Sequence, residues 1–88
     1  MVSLSDAKDV SNAIINTLHP ISIVVFGSVA RKGFGEDLDL LVVIEDDTKI
    51  PNEAYLTVNR CLKPFFKKSA IDPFVISQSI LNEYHRKG

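Results

Sequence analysis

The sequence predicts a small α/β (α+β) fold, a three-stranded mixed sheet with helices packed on it. Two observations carry this reading. Stretches with apolar residues at helical spacing alternate with three short runs rich in β-branched and aromatic residues. Pro20, Gly27 and Pro51 stand at the joints, where proline and glycine end or begin elements. At 88 residues the chain has room for one domain, residues 1–88, whose small core a partner subunit could reinforce.

Leu4, Ala7, Val10, Ile14 and Leu18 recur at the spacing of one helix face. Ser3 or Ser5 can cap that helix, Asp6 suits its first turn, and Pro20 marks its stop. Ile21–Phe26 reads as a buried strand with both faces covered, because its apolar run does not alternate. Residues 28–35 read as a helical turn and then a loop. Asp37–Glu45 is a second strand, alternating at Asp37-Leu38-Asp39-Leu40 and continuous at Leu41–Ile44, so it enters the core from an exposed end. Glu45-Asp46-Asp47 reads as a solvated acidic turn.

Pro51 opens the next helix, with Val58, Cys61, Leu62, Phe65 and Phe66 as its buried stripe. Pro64 kinks or ends it near Lys63, and Lys67-Lys68 suit its C-terminus. Ala70–Ile76 is a third strand, which Pro73 confines to a sheet edge or a bulge. Ser77 or Ser79 caps a last helix running through His85.

Hydrophobic residues at 45% and charged residues at 24% are the balance of a folded globule. A net charge of −1 argues against a broad basic face, so nucleic acid is not the expected partner, yet one metal-bound nucleotide remains compatible. The single cysteine, Cys61, excludes an internal disulfide and reads as a small buried hydrophobe. Met1–Lys8 lacks the pattern of a signal peptide, and no apolar stretch approaches membrane-spanning length. A cytoplasmic location fits these features. His19 and His85 show no ligand spacing, and Tyr55 and Tyr84 read as packing residues.

Asp37 and Asp39 lie two apart on a strand, so both side chains point to one face, with backbones about 6.7 Å apart. Carboxylates so placed repel one another, and a divalent cation held by both relieves that repulsion. Glycine at a strand end, as in Gly27-Ser28, lets backbone approach a ligand closely, and Ser28 adds a hydroxyl donor. Asp72 lies within Ile71–Ile76, where an acid needs either water at a sheet edge or a cation. Arg31 is either a phosphate contact or a solvated loop cation. Taken singly, each feature also has a plain structural reading. Taken together, three carboxylates facing a phosphate-binding turn are what two-metal phosphoryl or nucleotidyl transfer requires.

Val25-Phe26-Gly27-Ser28-Val29-Ala30-Arg31, Asp37-Leu38-Asp39-Leu40-Leu41-Val42 and Ile71-Asp72 together resemble the minimal nucleotidyltransferases of the DNA polymerase beta superfamily. The resemblance implies the polymerase-beta-like fold and transfer of a nucleoside monophosphate from ATP or another triphosphate to a hydroxyl. It implies that Asp37 and Asp39 bind both magnesium ions, and that Asp72 completes one metal site and helps activate the acceptor. It also implies that Gly27 and Ser28 grip the triphosphate. The sequence departs from the family pattern in three places. Only the eight residues Val29–Glu36 separate Ser28 from Asp37, Glu36 stands where serine is usual, and Pro73 follows Asp72.

Minimal members of this family are often paired with an all-helical partner of the HEPN type, some as toxin and antitoxin, so the resemblance implies such a partner here. A homo-oligomer is the other assembly compatible with so small a core. The rival reading is a non-catalytic subunit that stabilises or neutralises a helical partner by contact, which the short loop favours.

Overall fold

A computed structural model describes residues 1–46, 51–67 and 69–87. The first helix, α1 (Leu4–Leu18), starts at a reciprocal cap. The Asp6 amide donates to Ser3 Oγ at 3.2 Å and the Ser3 amide donates to Asp6 Oδ2 at 3.0 Å. The helix stops at His19, which turns left-handed (φ 52°) and sends its N–H back to the Ile15 carbonyl. Pro20 then prevents continuation. Ala7, Val10, Ile14 and Leu18 are buried as the spacing predicts. Leu4 is exposed instead, because at the first helical position it overhangs Gly33 rather than the core.

Three strands form the main sheet: β2 (Ser22–Phe26), β4 (Asp37–Ile44) and β5 (Ala70–Ser77). The order is β2-β4-β5, with β2 antiparallel and β5 parallel to the central β4, which makes the sheet mixed as expected. Leu38, Leu40, Val42 and Ile44 of β4 are fully buried. They join Val10 and Ile14 of α1, and Ala54, Val58 and Leu62 of α3 (Pro51–Leu62), in one core.

The other sheet face is largely open, which corrects the expectation of a doubly covered strand at 21–26. Ile23 and Val25 pack on the core, whereas Val24 is 45% and Phe26 41% exposed. An unbroken apolar run says that a strand is buried, but the number of helical layers decides whether one face or both are covered. Pro73 is accommodated because β5 is an edge strand; its ladder with β4 runs from Asp37↔Ala70 to Ile44↔Ser77 without a bulge.

The helix α3 ends at Leu62 and tightens into a 3₁₀ turn over Lys63–Phe65, where Pro64 falls. The helical period stops there, so the stripe predicted past Leu62 fails: Phe65 is half-buried and Phe66 is exposed. Cys61 is half-buried rather than buried. Tyr55 and Tyr84 are exposed, not packing residues. Residues Asp47 and Lys68 lie outside the described residues.

The last helix, α4 (Gln78–Lys87), is capped from afar. The Ser79 amide donates to Asp46 Oδ1 at 3.0 Å, while the Ser77 and Ser79 hydroxyls lie 3.5 Å from one another. Asp46 is therefore a helix cap rather than a free solvated acid. Two further short strands were not anticipated. Val2–Ser3 (β1) pairs antiparallel with Phe34–Gly35 (β3), joining the chain's start to the segment just before β4. Between β2 and β3 lies α2 (Ser28–Lys32). Among the described residues no helix is long and apolar enough to cross a membrane.

Candidate active site

Backbone conformation at Gly27 organises one side of the site. Its φ of 76° and ψ of −152° belong to a region essentially reserved for glycine. That geometry ends β2 and starts α2 in a single residue, and the Arg31 amide returns to the Gly27 carbonyl at 3.1 Å. A second reason for glycine is space. A β-carbon at Gly27 would collide with Oδ2 of Asp39, so the carboxylate lies directly over the turn. Ser28 follows, half-buried, and its Oγ accepts from Nη2 of Arg31 at 3.4 Å. Arg31 is thereby placed beside Ser28; both it and Lys32 are exposed.

Strand register supplies the other side. Phe26, Asp39 and Asp72 are partners in one row across β2, β4 and β5. Register partners share a face, so Asp39 and Asp72 stand side by side about one strand spacing, ~4.8 Å, apart. Asp37 lies two residues earlier on β4 and points to the same open face. The undisturbed ladder through Pro73 keeps Asp72 in this row. Asp37 and Asp72 are exposed and Asp39 is half-buried.

Among the described residues none of these three acids has a side-chain hydrogen bond or ion pair. Three like charges on one face without a protein cation form a donor set suited to a hard divalent ion. As placed, with Asp39 turned toward Gly27, the side chains do not gather three acids round a common point among the described residues.

Two aromatic rings bound the acidic row. Phe26 on β2 and Phe74 on β5 come from opposite edges of the sheet and meet over the central strand, with centroids 5.9 Å apart and planes at 41°. The row next to the acids, Val24-Leu41-Phe74, is apolar. Neither ring has a local signal for this place, because only register puts Phe26 in a row with Asp39. The contact of Gly35 with the turn is likewise decided by the fold: its Cα faces Ser28, and a β-carbon there would lie 2.8 Å from Ser28 Cβ.

Residues 10–84 match the family model of a nucleotidyltransferase domain. The chain belongs to this family. The match runs from within α1 to within α4 and takes in Gly27, Ser28, Arg31, Asp37, Asp39 and Asp72. The nucleotidyltransferase domain places the chain in the polymerase beta-like superfamily and carries, in general terms, nucleoside monophosphate transfer from a nucleoside triphosphate. No curated protein matches the chain.

Proposed function

We propose that residues 1–88 are a single minimal nucleotidyltransferase domain that moves a nucleoside monophosphate from ATP, or another triphosphate, to a hydroxyl on a helical partner protein of the HEPN type. The observation that carries this reading is the single row holding Asp39 and Asp72, with Asp37 on the same face and the Gly27-Ser28 turn at its end. The exposed apolar surface beside the row, Val24 and Phe74 included, supports a partner that covers it. The activity would serve as the antitoxin-like half of such a pair.

Asp37 and Asp39 hold magnesium in this reading, with Asp72 completing one site. Bound there, the metal supplies neutralising charge and Lewis acidity toward phosphate oxygens. The chain's own groups do the rest. Ser28 Oγ and the amides after Gly27 take phosphate oxygens, and Arg31 brings positive charge next to Ser28. The acceptor oxygen attacks the α-phosphorus, and a new O–P bond forms. The bond from that phosphorus to the bridging oxygen breaks, and pyrophosphate leaves. Asp72 takes the hydroxyl proton.

A second reading, a non-catalytic subunit that binds and stabilises its partner, is favoured by the ungathered acids. One experiment separates the two: radiolabel transfer from α-labelled ATP to the copurified partner, with wild type and Asp72→Asn. The enzyme reading expects transfer by wild type and a loss of ~10²–10⁴-fold in the variant, the range of general-base contributions, at an unchanged melting temperature. Undiminished transfer by folded Asp72→Asn would remove Asp72 from the chemistry. No transfer by wild type with any common triphosphate would favour the binding subunit.

A further inference from the structure

The segment between Ser28 and Asp37 is short, and it is braced from an unexpected direction. The first residues of the chain run alongside it. Val2 pairs with Gly35 and Ser3 with Phe34, and the Leu4 amide donates to the Gly33 carbonyl at 3.1 Å. Val2 is itself anchored, its side chain buried in the core. Residues 33–35 are therefore paired with an anchored neighbour rather than left as a free loop.

What these residues touch matters more. Gly35 is buried with its Cα against Ser28 and the Val29 amide, since a β-carbon there would come within 2.8 Å of Ser28 Cβ and 3.4 Å of Val29 N. Ser28 Oγ in turn holds Arg31. A continuous line of contact thus runs from the buried Val2 through Gly35 to the groups of the Gly27-Ser28 turn. No acid of the catalytic row stands on this line.

We propose that β1 is a positioning strap, setting triphosphate affinity by holding Gly35 against Ser28 and Val29. The proposal rests on the reading of the Gly27-Ser28 turn as the triphosphate grip. The strap touches no ligand; it limits how far the Ser28 hydroxyl, the Val29 amide and Arg31 drift from one arrangement. Preorganised donors bind an anion more tightly than donors that must be ordered on binding.

Leu4 offers a clean way to loosen it. Proline is accepted at the first position of a helix, and Ser3 already has the extended backbone (φ −110°, ψ 172°) that a following proline requires. Leu4→Pro removes the amide bonded to Gly33 while leaving α1 its other bonds, and Leu4→Ala removes the same exposed side chain but keeps that amide. Gly35→Ala attacks the far end of the line by pushing directly on Ser28.

The test is calorimetric titration of the full chain with magnesium–ATP, paired with thermal melts. Leu4→Pro is expected to raise the Kd about tenfold over Leu4→Ala, as loosened charge-assisted hydrogen bonds would. Gly35→Ala should raise it at least as much. A purely structural role would lower the melting temperature and leave the Kd of the folded protein unmoved. An unchanged Kd in folded Leu4→Pro overturns the strap; if that variant does not fold, an unchanged Kd in Gly35→Ala does so. Wild type that binds no magnesium–ATP overturns the grip itself and the strap with it, so the two failures are distinguishable.

Discussion

Gly27→Ala tests the turn and the acid above it together. Alanine at φ 76°, ψ −152° enters a region that costs an L-residue about 1–3 kcal/mol. For a domain of this size each kcal/mol lowers Tm by roughly 4–8 °C. The added methyl also overlaps Asp39 Oδ2. A carboxylate end can rotate away, so this second effect falls mainly on the position of Asp39 and less on stability. A displacement of about 1 Å in a catalytic group can lower a rate ~10²-fold.

The two effects separate in a double-mutant cycle with Asp39→Ala. The backbone penalty persists without the carboxylate, whereas the collision disappears. Thermal or urea melts of the four proteins should show Gly27→Ala costing less in the Asp39→Ala background, with a coupling of about 0.5 kcal/mol or more. Radiolabel transfer should fall in Gly27→Ala by more than its unfolded fraction explains. Strict additivity together with full transfer activity would refute the packing of Asp39 on Gly27.

Two other outcomes are expected. Leu40→Ala, at a fully buried position in the middle of β4, should cost ~2–5 kcal/mol in a urea titration, because the central strand is held on both sides and cannot collapse into the cavity. Removing magnesium with EDTA should weaken ATP binding at least about tenfold by calorimetry, since Asp37, Asp39 and Asp72 then face the phosphates as uncompensated charges.

Features written in neighbouring residues were legible in the sequence. The bounds of α1 are local, because Ser3 and Asp6 cap one another and His19 and Pro20 end the helix within two residues. The alternating entry of β4 predicted outward-facing Asp37 and Asp39 and buried Leu38 and Leu40; Asp37 is exposed, Asp39 half-buried and both leucines buried. Pro73 predicted the edge strand, and Gly27 the turn. The three acids and the Gly-Ser pair were visible as residue types at spacings that a family resemblance joins into one motif.

Tertiary structure alone decided what depends on partners distant in sequence. Register across two strand pairs put Phe26, Asp39 and Asp72 in one row, and a slip of one residue would have turned Asp72 to the other face. The open sheet face, the Asp46 cap on α4 and the pairing of Val2–Ser3 with Phe34–Gly35 likewise have no local signal. A capping bond or helix period spans three or four residues and leaves its mark in adjacent letters. Strand pairing and layer count are instead settled by which apolar surfaces the whole chain can bury at once.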